Sequence, residues 1–262
     1  MNDPATANLV ALKHPKNTAA YTAPRDLLKP ELLILSRLER EFTGKRILDL
    51  GIGGGQTTPA LLKISADYIG TELVPAMVAI CRSRFPSVRF EVCDATDMSQ
   101  FADASFDLVI FFGAGMDGVG HTGRMKILRE AHRVLSDGGA FAFSTHNLGS
   151  EVRRPWEVPR LQPWKTNPFL QPKEFVRRSV RLSIAMLNHQ RKKAQEERHS
   201  GYALLNDAAG DFSFILYYVS PSQQTRQLIE AGFSNIEAID EQGEPANESC
   251  SDTWLFFSCR KA

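Results

Sequence analysis

Apolar residues along this chain gather in short runs, separated by stretches where they recur every third or fourth position. Four runs fall in the first half, at 46–50, 67–70, 88–92 and 106–112, and a fifth at 140–145 follows the turn signal Asp137-Gly138-Gly139. Runs this short, bounded by turn residues, predict buried strands. Between them, Leu61, Leu62 and Ile64, then Met77, Val78, Ile80 and Cys81, then Met125, Leu128, Ala131, Val134 and Leu135 fall at helical spacing. The alternation predicts an α/β domain: a mostly parallel sheet covered by helices on both faces, centred on residues 45–146.

The alternation then fails. Residues 147–210 carry Pro155, Pro159, Pro163, Pro168 and Pro172, followed by a helical pattern over 173–198 and a strand-like run over 212–219. A helix over 222–231, closed by Gly232, and two strands at 235–239 and 253–258 complete the pattern. Four segments result: an N-terminal helical segment at 1–44, the core at 45–146, an insertion at 147–220, and a C-terminal return to the core at 221–262.

The 262 residues are 43% hydrophobic, ample for a packed core, and 31 Lys and Arg against 30 Asp and Glu leave a net charge of +1. That balance lends no support to nucleic-acid or membrane partners. No apolar run is long enough to span a bilayer, and the N-terminus lacks a signal-peptide core. Cys81, Cys93, Cys250 and Cys259 form no CxxC pair and no metal-like cluster with His, so they are expected to be reduced thiols of a cytoplasmic protein without a metal.

The strongest chemical signal is the run from Ile47 to Gly55, where a buried strand enters the turn Gly51-Ile52-Gly53-Gly54-Gly55 and then a helix. Glycine lets a ligand approach the backbone closely. Glu72 ends the second strand, 21 residues past Gly51, where a carboxylate can accept from two ribose hydroxyls. Asp94 ends the third strand, placed to take an exocyclic adenine amine, with the next backbone N–H available to a ring nitrogen. Phosphate ligands are disfavoured: Gln56 and Thr58 break a dinucleotide GxGxxG, and no Gly-Lys-Ser/Thr loop occurs. An adenosine without a pyrophosphate remains.

The run Asp49-Leu50-Gly51-Ile52-Gly53-Gly54-Gly55 resembles the D-x-G-x-G-x-G motif of class I S-adenosylmethionine-dependent methyltransferases, of the type acting on small molecules. Gly70-Thr71-Glu72-Leu73-Val74-Pro75 is similar to their acidic second motif, Asp94-Ala95-Thr96-Asp97-Met98 to their adenine contact, and 106–110 to their fourth strand. Residues 127–139 resemble the helix and turn before the fifth strand, although Asp137 stands where the family usually has proline. The resemblance implies a Rossmann-like seven-stranded sheet with an antiparallel last strand, here 253–258 beside 235–239, plus a cap insertion after strand five. It implies S-adenosyl-L-methionine as cofactor. Asp49, Gly51 and Gly53 would approach its methionine part, Glu72 and Leu73 its ribose, Asp94 and Ala95 its adenine. Phe112 and Gly113 would face the amino-acid end, and Tyr21, with Arg25 beside it, would close over the methionine carboxylate from the N-terminal segment.

For the acceptor side, the glycine-rich stretch 113–121 supplies Asp117 and His121 as candidate bases, and His146, followed by Asn147 at the end of strand five, is a rival. Each also has an ordinary reading, as a helix cap, a loop histidine or a strand-end residue. Between 151 and 199 the insertion carries twelve Lys and Arg against five Glu, with Trp156 and Trp164 interleaved among Arg153, Arg154 and Lys165. Such a segment would suit a lid over an acidic or aromatic small-molecule acceptor. Adjacent Tyr217 and Tyr218 on a strand must face opposite sides, so only one can reach the site. Transfer of a methyl group to an oxygen or a nitrogen follows as the expected function. A non-catalytic cofactor-binding subunit, a nucleic-acid methyltransferase and an aminopropyltransferase are the rivals, and association of the chain with itself stays open.

Overall fold

The computed structural model describes residues 4–152, 154–157 and 171–262. Three helices, α1 (Pro4–Leu12), α2 (Pro15–Thr22) and α3 (Lys29–Phe42), precede the first strand. Strands β1 (Ile47–Leu50), β2 (Tyr68–Glu72), β3 (Arg89–Val92), β4 (Phe106–Phe111) and β5 (Leu135–Asn147) then run parallel in the order β3-β2-β1-β4-β5. Helices α4 (Thr58–Ile64), α5 (Pro75–Arg84) and α6 (Gly120–Val134) connect them, apart from the short link between β3 and β4.

Side-chain alternation along the strands builds two cores. Leu48, Leu50, Val109, Phe111, Phe141 and Phe143 face α6, whereas Ile47, Leu108, Ile110, Ala140 and Ala142 face α3, α4 and α5. Helix α3 meets the sheet with Ile34, Leu35, Leu38 and Phe42, one buried stripe at helical spacing, each side chain contributing about 1.5–3 kcal/mol of burial. The turn signal at 137–139 is absorbed within β5: Phe106 pairs with Leu135 and Leu108 with Ala140, so two steps along β4 span five along β5.

Helix α7 (Gln171–Lys192) lies in the insertion, α8 (Pro221–Glu230) follows it, and the C-terminal strands close the sheet as the sequence suggested. β10 (Trp254–Lys261) inserts antiparallel between β5 and β9 (Phe233–Ile239). Among the described residues the sheet nevertheless has ten strands rather than seven, because the insertion adds β6 (Glu197–His199), β7 (Tyr202–Asp207) and β8 (Phe214–Val219). The helical pattern expected to reach 198 stops at Lys192. Residues 193–195 tighten into a 3-10 turn and Glu197 pairs with Leu204, so edge pairing with β7 overrides local helix preference.

β8 joins β5 only at His146 and Asn147, just past the point where β4 leaves off. The antiparallel β6-β7-β8 unit therefore overhangs the carboxyl end of β4 and forms a roof. Helix α1 completes it: Asn8, 5% exposed, donates to the carbonyls of Ile215 at 2.6 Å and Gly118 at 2.8 Å and accepts from the Ile215 N–H at 3.0 Å. Helix α7 rests on the roof through Ala185 against Phe212 and an Arg181–Asp211 ion pair of 2.6 Å.

Candidate functional site

Under the roof, at the carboxyl ends of β1 to β4, lies a cavity of 730 Å³, with a second of 540 Å³ sharing Tyr21, Gly51, Gly53, Gly113, Glu241 and Trp254 with it. Such volumes lie within the range of about 300–1,000 Å³ typical of small-molecule sites. Glu72, Leu73, Asp94 and Ala95 line the larger cavity, and Arg25, Asp49 and Phe112 the smaller. All eleven residues expected at a cofactor therefore line one or other of two adjoining cavities.

The glycine turn is shaped for close approach. Gly53 sits at φ +54°, and a Cβ there would stand 2.9 Å from the Tyr21 carbonyl; at Gly54 it would stand 2.7 Å from the Thr22 Cα. These absences of side chain let the end of α2 lie directly on the turn. Gln56, at the position that breaks the dinucleotide pattern, fastens the contact by donating to the carbonyls of Tyr21 at 3.0 Å and Ala23 at 3.2 Å.

Glu72, 6% exposed, accepts from the backbone N–H of Gly53 and of Val74, each at 3.1 Å. Burial pushes its carboxyl above the ordinary range, while those two donors oppose the shift. Asp94 uses one oxygen to accept from the Thr96 N–H and hydroxyl, both at 2.8 Å, which fixes the carboxylate and leaves Oδ2 for an amine. Asp49 does not reach out as a bare charge. It is buried, accepts from Thr57 Oγ1 and from the Tyr68 hydroxyl at 2.8 Å, and its carboxyl is pushed up to about 7, by burial above all. Arg25 lies across the smaller cavity, 3.5 Å from Glu31 and beside Gly113.

The three candidate bases separate. Asp117, in a 3-10 turn at 115–119, is fully buried and its two oxygens accept four hydrogen bonds. Oδ1 takes Arg124 Nη1 and the Thr145 hydroxyl at 2.7 Å; Oδ2 takes the backbone N–H and the ring Nδ1–H of His146, both at 2.8 Å. His146, 7% exposed, lines the larger cavity between the rings of Tyr218 at 5.0 Å and Trp254 at 5.1 Å. Burial alone would lower its pKa, but the Asp117 hydrogen bond and charge outweigh it and Asp207 adds to them, so the net shift is upward. With Nδ1 bound to Asp117, Nε2 is the nitrogen left for chemistry.

His121 is not part of this constellation. Gly120 breaks the chain direction at φ +69°, and α6 starts with His121 on the far side, where its Nδ1 lies 2.9 Å from the Tyr217 hydroxyl and its ring stacks on Tyr202 at 4.5 Å. The tyrosine pair divides as alternation requires: Tyr218 faces the cavity, and Tyr217 lies beneath the Arg124 guanidinium on the other side. Of the insertion candidates, Trp156 is 51% exposed under Arg154, and Arg153, Trp164 and Lys165 lie outside the described residues.

Sequence reasoning missed Asn8, Leu9 and Leu12 of α1, Asp207 of β7, and Trp254, all on the cavity wall. Trp254 had a readable signal, since an antiparallel final strand beside β5 brings its first residue opposite His146. The others carry no motif. Among the described residues no cluster suited to a metal occurs, and no helix is long and apolar enough to cross a membrane.

Residues 47–139 match the model of a methyltransferase domain family. A ubiquinone biosynthesis O-methyltransferase of Ruegeria pomeroyi is 28% identical over 151 residues, 52% of this chain and 58% of that protein. A demethylmenaquinone methyltransferase of Chlorobaculum parvum is 36% identical over 107 residues, 39% of this chain and 43% of that one. The chain thus spans about half the length of these relatives. Among solved structures, a 1,6-didemethyltoxoflavin-N1-methyltransferase of Burkholderia thailandensis, with bound 1,6-didemethyltoxoflavin and S-adenosylhomocysteine, superposes with a TM-score of 0.58 at 13% identity, covering 98% of this chain and 88% of that one. An S-adenosylmethionine-dependent methyltransferase of Mesorhizobium loti gives 0.54 at 19% identity, covering 88% and 97%. From strand order, glycine turn and likeness together, the chain has the class I S-adenosylmethionine-dependent methyltransferase fold, and residues 47–139 are the part similar to the methyltransferase domain family.

Proposed function

We propose that this protein binds S-adenosylmethionine and transfers its methyl group to an oxygen or nitrogen of a small molecule. One observation carries the reading: the larger cavity is lined by the glycine turn, Glu72 and Asp94 and also by the Asp117-supported His146. The residues suit the cofactor. Glu72 offers paired acceptors for a diol and Asp94 an acceptor for an amine, while Arg25, beside Gly113, offers a cation for a carboxylate.

The cofactor supplies an electrophilic methyl on a sulfonium, and the protein's task is alignment and exclusion of water. Tyr21 and α2 close one side, α1 and the β6-β7-β8 roof the other. His146 holds its neutral tautomer through Asp117 and takes the acceptor's proton at Nε2. Titrating the protein with S-adenosylhomocysteine and with NAD by calorimetry checks the first half; tighter binding of NAD sinks it. Label transfer from isotopic S-adenosylmethionine to an acceptor panel checks the second half and separates an enzyme from a binding-only subunit.

Glu72→Ala is expected to weaken S-adenosylhomocysteine binding by about 1.5–3 kcal/mol, the worth of charge-assisted hydrogen bonds lost from a buried site. The variant should stay folded, since Gly53 and Val74 lose only one acceptor each. Undiminished affinity in a folded Glu72→Ala protein would remove Glu72 from the cofactor site.

A further inference from the structure

The wall around His146 carries more negative charge and more aromatic surface than an adenosine needs. Asp207, at the end of β7, lines the cavity with its orientation fixed: Oδ2 accepts from the Tyr218 hydroxyl at 2.5 Å and Oδ1 from the Ala209 N–H at 2.6 Å. Tyr218 and Trp254 flank the His146 ring at 5.0 and 5.1 Å, so carboxylate, two ring faces and proton acceptor border the same space. The Asp207 charge is felt at His146, and also at Tyr21, whose phenol is pushed up to about 12 by desolvation and then by this carboxylate. Leu9, Leu12 and Leu216 supply an apolar surface beside it.

We propose that the acceptor is an amine on an aromatic or apolar body, its ammonium held by Asp207 and the faces of Tyr218 and Trp254 until His146 removes a proton. The proposal rests on the methyl-transfer reading above. An ammonium gains charge-assisted hydrogen bonds from the carboxylate and cation–π attraction from the rings; a hydroxyl gains only the weaker neutral counterparts, and a carboxylate is repelled. A nearby sulfonium loosens the ammonium's proton by like-charge repulsion. The proton passes to Nε2 of His146, and the freed lone pair forms the C–N bond as the methyl C–S bond breaks, its electron pair going to sulfur. The products are a methylated ammonium and a neutral thioether, with no change of redox state. The basic surplus of the insertion suggested an acidic acceptor; the carboxylates that line the cavity favour a basic one.

The test compares three molecules of one shape, tryptamine, its alcohol analogue tryptophol and indole-3-acetate, alongside the phenethyl series. Each is titrated into the S-adenosylhomocysteine-loaded protein and offered as an acceptor of labelled methyl. The amine is expected to bind at least about tenfold tighter than the alcohol, with the acid weakest and the label on nitrogen. Asp207→Asn should cut the amine-to-alcohol ratio severalfold, leaving only the share supplied by the rings, while S-adenosylhomocysteine affinity stays intact. Equal or stronger binding of the alcohol or acid, no binding by any of the probes, or a ratio that survives Asp207→Asn overturns the proposal. The wild-type ranking decides even if that variant fails to fold. Failure to bind S-adenosylhomocysteine at all removes the methyltransferase reading itself, whereas label on the alcohol alone removes only the amine.

Discussion

His146→Ala is expected to cut methyl transfer by about 10²–10⁴-fold, the usual worth of a positioned general base, without loss of S-adenosylhomocysteine affinity. The expectation follows from position: the ring borders the cavity, its Nδ1–H is committed to Asp117, and the residues proposed to hold the cofactor lie on other elements. Single-turnover rates with calorimetry on the same variant check it. A variant that turns over like the parent would mean that His146 only packs between Tyr218 and Trp254. The pH profile gives an independent reading. The groups that set this histidine are Asp117 and Asp207, which raise its pKa, and Arg124, which opposes them along with burial. Its neutral, proton-accepting form is lost as pH falls through a pKa above the free imidazole value of about 6.5, so activity should rise with pH across a window displaced upward. Stability should run the other way. A raised folded-state pKa contributes stability fully present below about pH 6.5 and lost as pH rises through the folded value. One imidazole thus sets opposite slopes for turnover and unfolding, and both disappear in His146→Ala.

The second large effect is on folding. Asp117 and Arg124 are both fully buried, the arginine held also by Thr145 at 3.0 Å and by Gln224, with the Tyr217 ring below it at 4.7 Å. Asp117→Ala leaves that guanidinium buried without its counter-charge, which typically costs about 3–5 kcal/mol. Against a usual total of about 5–15 kcal/mol, the loss is a large share of what holds the fold. Urea unfolding measures it directly. Adding Arg124→Met should restore most of the loss, because an apolar side chain of similar length removes the stranded charge. A single variant as stable as the parent would show that the pair contributes nothing net. Rescue in the double variant without return of activity would locate the role of Asp117 in orienting His146.

The part of the site proposed to hold the cofactor was legible where its residues sit at strand ends that the apolar runs already marked; Tyr21 and Arg25, which lie before β1, came only from the resemblance. Gly51, Glu72, Asp94 and Gly113 follow β1, β2, β3 and β4 in order, and a parallel sheet brings those four ends to one edge. The acceptor half was less legible, since its residues meet through tertiary pairing. Asp117 and His121 are four residues apart and look equivalent in sequence; only the backbone reversal at Gly120 sends one inward and the other out. Arg124 carries no motif, yet it is buried because Asp117, Thr145 and Gln224 from three other elements converge on it. The strand β6 was hidden for a different reason. It is three residues long, wholly exposed and highly charged, so neither alternation nor β-propensity marks it, and only its ladder with β7 defines it.

The route by which this sheet is completed sets a demand on the order of folding. β5 receives its antiparallel partner β10 from far along the chain: the Cys259 thiol meets the Phe141 carbonyl across 118 residues. The roof is more extreme, since Asn8 holds Ile215 across 207. During synthesis the Asn8 amide can reach the Gly118 carbonyl first, but its two bonds to Ile215 must wait for a residue 207 positions on, and one edge of β5 stays open meanwhile. Contacts of such long range carry a loop-closure cost before they repay it, which slows folding and exposes an apolar strand edge for longer. The ligand chamber is therefore a late product of assembly: the glycine turn and its strands can form early, but the chamber is roofed only when both distant ends have arrived.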